Sequence, residues 1–110
     1  MTRKKDLSLG AVMILHALAR GAGYGFDIME ETGLTSGTVY PALDRLEREG
    51  FARSAWEDAE LAREEKRPPR RYFEITDDGK TELIAAMERY RALAPITIDG
   101  VAYGAGARTP

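Results

Sequence analysis

Residues 35–50 read Thr35-Ser36-Gly37-Thr38-Val39-Tyr40-Pro41-Ala42-Leu43-Asp44-Arg45-Leu46-Glu47-Arg48-Glu49-Gly50, and the rest of the chain is organised to hold and aim this stretch. Thr35 and Ser36 offer hydroxyls to the free N–H groups of a helix start, and Gly50 can take the left-handed conformation that ends one. The spacing predicts a helix of roughly four turns. Val39, Leu43 and Leu46 form one apolar stripe, with Ser36, Thr38, Asp44, Arg45 and Arg48 off it. One face is therefore anchored and the other offered outward. Gly37, Thr38 and Tyr40 crowd the first turn, and Pro41 falls where a missing N–H costs least. A helix start edged with hydroxyls, at the positive end of the dipole, suits phosphate.

Immediately upstream, Tyr24-Gly25-Phe26-Asp27-Ile28-Met29-Glu30-Glu31-Thr32-Gly33-Leu34 predicts a short helix that Gly33 stops. Two helices joined by so tight a glycine turn cross steeply, as in a helix-turn-helix. The second of them is then the one that enters a major groove, N-terminal residues first.

The 110 residues allow one domain, or one domain with a tail, and a modest core. Cysteine is absent, so disulfides and thiolate metal sites are excluded. No secretory apolar region with a cleavage site and no bilayer-length apolar run occurs, so the cytoplasm is the expected location and no membrane partner is expected. The formal net charge is -2, yet Arg3, Lys4 and Lys5 open the chain and Lys66, Arg67, Arg70 and Arg71 cluster later. The placement of charge governs binding to polyanions more than its sum does.

Leu7 to Leu18 is apolar on nearly every side, so this first helix must be central or covered by a partner. His16, the sole histidine, lies inside it and reads as a packed or interface residue rather than a metal ligand. Gly21 to Gly25 imitates a phosphate loop but lacks the Lys-Ser/Thr ending and the preceding strand. After Gly50 the period changes. Residues 51–56 and 71–76 alternate as two strands, and Glu57 to Pro69 between them reads as an extended, basic tip, which makes a wing. Trp56 is expected to pack beneath this ribbon, with an aromatic ligand surface as the other reading. Thr76-Asp77-Asp78 caps a last helix carrying Leu83, Met87, Tyr90 and Ala94 at coiled-coil spacing. With no later element to cover that seam, it joins the first helix in an expected homodimer interface: Leu9, Met13, His16, Leu83, Met87 and Tyr90. The expected organisation is mostly α with a small β-hairpin. Residues 1–76 form a winged helix-turn-helix domain, 77–94 a C-terminal dimerisation helix, and 95–110 a flexible tail.

This order of elements resembles the PadR-like family of winged helix-turn-helix transcription regulators. The likeness rests on Tyr24-Gly25, on SGTVYPALDRLEREGF from Ser36 to Phe51 and on RPPRRYFEITDDGK from Arg67 to Lys80, and covers about residues 7–93. The resemblance implies a homodimeric DNA-binding repressor in which the final helix of each subunit packs on the first helix of the other. It also implies that Ser36, Thr38 and Tyr40 meet phosphates or base edges and that the wing arginines hold the backbone. Some members of that family respond to phenolic acids or flat hydrophobic drugs. The chain ends before the extra helical domain of the long members and looks like the short class.

The expected function is sequence-specific binding of double-stranded DNA at a pseudo-palindromic operator. Its expected site comprises Ser36, Gly37, Thr38, Tyr40, Arg45, Arg67, Arg70 and Arg71. Arg45 is placed to read a base, since guanidinium bonds two acceptors of guanine at once. A small aromatic effector is a further expected partner, in a cavity near Trp56 or between the first and last helices. A second class is a winged-helix module that binds protein or a small molecule and not DNA. Enzymatic activity is not expected, because no Ser-His-Asp or Cys-His set can be assembled. No cofactor or metal is expected.

Overall fold

A computed structural model of the protein describes residues 6–90 and 93–104. Its centre is α1 (Leu9–Ala19), whose side chains are apolar around most of the circumference. Ser8 starts the helix, its Oγ accepting the Ala11 N–H at 3.2 Å. Val12, Ile14 and Leu15 are fully buried. The next two helices are α2 (Gly25–Thr32) and α3 (Ser36–Arg48). They supply Ile28, Val39, Leu43 and Leu46 to the same core, all without exposed surface. Gly33, at φ 75°, ends α2 and donates its N–H to the Met29 carbonyl at 2.8 Å. The Thr32 hydroxyl donates to Ile28 O at 2.7 Å and accepts the Leu34 N–H at 3.1 Å. The turn between the two helices is thereby fixed from both sides, which gives the helix-turn-helix the sequence predicts.

At the far end of α3, Gly50 takes φ 82° and Phe51 N–H reaches back to Leu46 O at 2.9 Å. This left-handed cap re-aims the chain into β1 (Ala52–Trp56), which pairs antiparallel with β2 (Arg71–Ile75) from Ala52 opposite Ile75 to Trp56 opposite Arg71. The ribbon is tied to the helix-turn-helix by Phe73 N–H on the Gly23 carbonyl, 2.6 Å, and by a bridge between Tyr24 and Tyr72. Thr76 then joins two elements. Its hydroxyl accepts the Gly79 N–H at 3.0 Å, capping α5 (Asp77–Arg89), and donates to Gly50 O at 2.6 Å.

Three expectations are corrected here. Residues 57–69 are not an extended basic tip. They contain α4 (Ala59–Glu64), capped by Asp58 Oδ1 on the Glu60 N–H at 2.7 Å. From Glu57 to Arg67 the side chains Glu57, Asp58, Glu60, Glu64 and Glu65 outnumber Arg63, Lys66 and Arg67, so the tip is acidic.

Residues 96–103 are not a loose tail. β3 (Ile96–Ile98) and β4 (Val101–Tyr103) form a hairpin whose two-residue turn is Asp99-Gly100, both at positive φ, the geometry that matches strand twist. Ile96 and Ile98 enter the main core, and Lys80 Nζ holds the turn through Asp99 at 3.2 Å.

The seam on α5 is consequently covered by its own chain. Leu83 is fully buried and Met87 nearly so, packed with α1 and the hairpin. His16 is buried, with Nε2 on the Ala94 carbonyl at 2.9 Å, and Tyr90 donates its hydroxyl to Leu7 O at 3.3 Å. Of the six side chains expected at a subunit interface, only Leu9 is exposed, at 42%. Met13 and Tyr90 are half-buried. The expected basic start, Arg3 to Lys5, and the end of the expected tail, residues 105–110, lie outside the described residues.

Two glycines predict opposite responses. A Cβ at Gly79 would overlap the Phe51 carbonyl and sit 2.8 Å from Ile75 Cγ1, whereas one at Gly10 would meet nothing closer than Thr38 Cγ2 at 3.9 Å. Gly79→Ala should lose about 2–3 kcal/mol in urea unfolding. Gly10→Ala, inside α1, should instead gain about 0.5 kcal/mol.

Candidate nucleic-acid interface

The outward face of α3 follows from its anchored stripe. With Val39, Leu43 and Leu46 turned into the core, Ser36, Gly37, Thr38, Tyr40, Pro41, Asp44 and Arg48 are exposed and Arg45 is half-buried. The helix start stays open. Thr35 is extended at the cap position, but its side chain makes no capping bond, and its hydroxyl instead donates to Thr38 Oγ1 at 3.5 Å. The capping bond expected of Thr35 or Ser36 is not made; the Thr38 and Val39 N–H groups bond the Thr35 carbonyl, at 3.0 and 2.9 Å, and the Ser36 and Gly37 N–H groups are left without a capping side chain.

Tyr40 owes its position to Gly25. A Cβ at Gly25 would overlap the Tyr40 hydroxyl and lie 2.6 Å from its Cε1, so only glycine admits the ring there. This close approach explains the Tyr24-Gly25 pair in chemical terms. Tyr24 in turn meets the Tyr72 ring edge-on, with centroids 5.5 Å apart.

The wing arginines fare differently from one another. Arg67 clamps Glu57 through both terminal nitrogens, at 2.5 and 2.8 Å, and reaches Glu65 as well. Only 19% of its side chain is exposed, and 5% of that of Glu57. Arg67 therefore braces the wing and is not free for a phosphate, contrary to its expected role. The fork of guanidinium bonds, with the Arg70 N–H adding to it, holds the Glu57 carboxyl down to about 2, and the same pair raises Arg67.

Arg71 bonds Glu47 and Ser54 Oγ and approaches Asp44 at 3.6 Å, which fastens the ribbon to α3. The Arg70 guanidinium has no carboxylate partner among the described residues, although its backbone N–H donates to Glu57 Oε1 at 3.1 Å. It lies 4.3 Å over the Tyr24 ring and is raised chiefly by a bond with the Tyr72 side chain. Arg45 pairs with Glu49 at 3.1 Å on the flank of α3, while Arg48 points squarely outward. Arg48, off the apolar stripe in the sequence but not among the expected site residues, stands seven residues after Pro41 and thus on the same helical face.

Trp56 is not packed beneath the ribbon. It is 69% exposed, the most of any large apolar side chain described. Ala52, Ser54 and Trp56 share one face of β1, and that face begins in the core and runs past its edge, so the third member projects beyond it. There it joins Tyr24, Tyr40, Pro68, Pro69, Arg70 and Arg71 around a cleft of about 490 Å³ between α3 and the wing.

A family model described as "Transcriptional regulator PadR-like family" matches residues 14–85, a span that holds the helix-turn-helix, the ribbon and most of α5. The chain belongs to the PadR-like family. Its members are transcriptional regulators rather than enzymes, so the PadR-like chain is a transcription regulator. Solved structures share the fold. A PadR family transcription regulator from Clostridium difficile R20291 is 23% identical, with TM-score 0.66 over 77% of this chain and 90% of that one. A protein from Streptococcus mutans UA159 is 22% identical, with TM-score 0.64 over 82% and 85%. A MarR family regulator from Silicibacter pomeroyi, 22% identical at TM-score 0.60, covers 78% of this chain and 53% of its own. No curated protein matches. In this PadR-like chain no helix among the described residues is long and apolar enough to cross a membrane.

The Glu57–Arg67 brace has a pH signature. Because the folded carboxyl titrates near 2 against an ordinary 4.5, its stabilisation is complete above the ordinary value and disappears as pH falls toward the folded one. The melting-temperature difference between the parent and Glu57→Gln should stay constant above about pH 5 and shrink to zero on descending to about pH 2.

Proposed function

We propose that this PadR-like regulator is a repressor that binds double-stranded DNA, with the N-terminal half of α3 in the major groove. The observation that carries the reading is the exposed start of α3 (Ser36, Gly37, Thr38), which no side chain caps, on a helix whose opposite stripe is wholly buried. Such a start offers N–H donors and a positive dipole end to a phosphate. Tyr40 and Arg70 supply further backbone contacts, Arg45 and Arg48 reach toward base edges, and Arg67 and Arg71 hold the wing that presents Arg70. The outward Asp44 would repel phosphate, but Arg71 stands beside it. The protein works in the cytoplasm.

A single module of this kind covers only a half-site, and one half-site gives modest affinity. The regulator therefore acts as a homodimer on a pseudo-palindromic operator whose half-sites lie about one helical turn apart. Of the side chains expected at that contact, Leu9 is exposed and Met13 and Tyr90 are half-buried, so they are the ones left available for it. A small aromatic effector at Trp56 is the proposed release signal.

A second reading, a module that binds protein or a small molecule without DNA, draws support from the acidic wing tip and the net charge of -2. Retention on heparin and a gel shift with promoter DNA separate the two. Arg70→Ala should weaken binding to every duplex and reduce the slope of log K against log salt by about 0.9, the share of one phosphate contact. Arg67→Ala should leave that slope unchanged. An unaltered slope in Arg70→Ala would remove the wing from the interface. In light scattering the parent should run at twice the chain mass, and Leu9→Glu should run at the mass of one chain.

A further inference from the structure

Trp56 and Arg71 are the last cross-strand pair of the ribbon, so their side chains leave on one face, and Arg71 shows that this face is turned toward α3 by bonding Glu47. Trp56 keeps 69% of its surface exposed there, on the wall of the cleft between α3 and the wing. Tyr24, Tyr40, Pro68, Pro69 and Arg70 line the same cleft. Its walls therefore carry two kinds of surface: flat rings and prolines that are apolar, and, at Tyr40 and Arg70, the donors assigned above to phosphates. Arg70 lies against the Tyr24 ring, 4.3 Å from its centroid, so the cation stands at the edge of an apolar wall.

A helix in the major groove and a ribbon over the neighbouring minor groove leave one sugar–phosphate strand to pass between them. That strand alternates an anionic phosphate with a deoxyribose whose ring carbons are apolar, the same two chemistries as the walls. Trp56 is a wall and not a wedge between bases, because the chain runs on past it into α4. Beyond Trp56 the wing becomes unfavourable to DNA. Asp58, Glu60, Glu64 and Glu65 are all exposed, against Arg63 and Lys66, and phosphates repel such a surface.

We infer that the cleft seats one backbone strand of the duplex, with Trp56 packed on its deoxyribose rings, and that the acidic tip beyond Trp56 stays off the DNA. This rests on the DNA-binding reading and adds to it an apolar contact, whose strength does not depend on counterion release. Arg70 serves the phosphate next to that sugar, so one end of the wing supplies both a salt-dependent and a salt-independent share of the affinity.

Trp56 is the sole tryptophan, so its indole N–H gives one resonance in a ¹H–¹⁵N spectrum of the full chain. With a duplex selected from random sequence by the protein, that resonance should shift as DNA is added. Trp56→Ala should raise the DNA Kd about tenfold, the loss expected for about 60 Å² of buried apolar surface, and keep the parental slope of log K against log salt. Trp56→Phe should lose about threefold or less. Trp56→Lys puts a cation at the same place and should steepen the slope by about 0.9, whereas Glu64→Lys on α4 should leave it parental. A parental Kd in Trp56→Ala, or a parental slope in Trp56→Lys, would overturn the Trp56 contact. A steeper slope in Glu64→Lys would overturn the placement of the tip. Failure of the parent to bind any duplex would instead overturn the DNA-binding reading, and the seat for the strand with it.

Discussion

A helix that is apolar on nearly every side cannot lie at the surface of a small domain, and α1 imposes that constraint on everything else. Its burial requires cover from several directions. The chain supplies α2 and α3 on one side, the base of the ribbon on another, and α5 with the C-terminal hairpin on a third. Because Val39, Leu43 and Leu46 must face α1, the rotation of α3 about its own axis is fixed, and with it the set of side chains turned outward. The presentation of Ser36, Gly37, Thr38 and Tyr40 is a by-product of core packing.

The wing is held by a different kind of force. Its strands have only one neighbour each, and two-stranded ribbons are weak by themselves. Here the ribbon is stiffened at its tip by the Arg67–Glu57 fork and fastened to α3 by Arg71 with Glu47. Two of the three arginines that look from the sequence like a phosphate-binding cluster are thereby spent on geometry. What they position is the third, Arg70, together with the aromatic walls beside it. The acidic character of α4 fits this division of labour: the tip leans on internal pairs, and Arg70 stands at the tip end of the strands, opposite Glu57.

Covering of the α5 seam by β3 and β4 changes the expected account of assembly. Leu83 and Met87 have coiled-coil spacing, yet the spacing is equally satisfied by a helix packed within its own domain. The sequence held the clue that decides between the two. Asp99-Gly100, flanked by Ile96 and Ile98 on one side and Val101 and Tyr103 on the other, is a strong short-range hairpin signal. Reading residues 95–110 by their glycine and alanine content alone hides it.

What the sequence determined by itself is whatever depends on neighbours a few residues away. The stop at Gly33, the left-handed cap at Gly50, the Thr76 cap on α5 and the stripe of α3 all come from local backbone chemistry and periodicity, and they suffice for a winged helix-turn-helix. Tertiary structure alone decided the partners of charges and the fate of side chains at the ends of elements. Arg67 and Arg70 are three residues apart and of one type, but the guanidinium of one finds Glu57, ten residues away, and that of the other finds the aromatic side chains of Tyr24 and Tyr72. Trp56 lies on the inner face of its strand, and only the place where the core stops leaves it uncovered. The physical reason is common to both cases: a helix cap is satisfied within one turn of chain, whereas an ion pair or an edge of packing depends on groups that folding brings together from distant parts of the sequence.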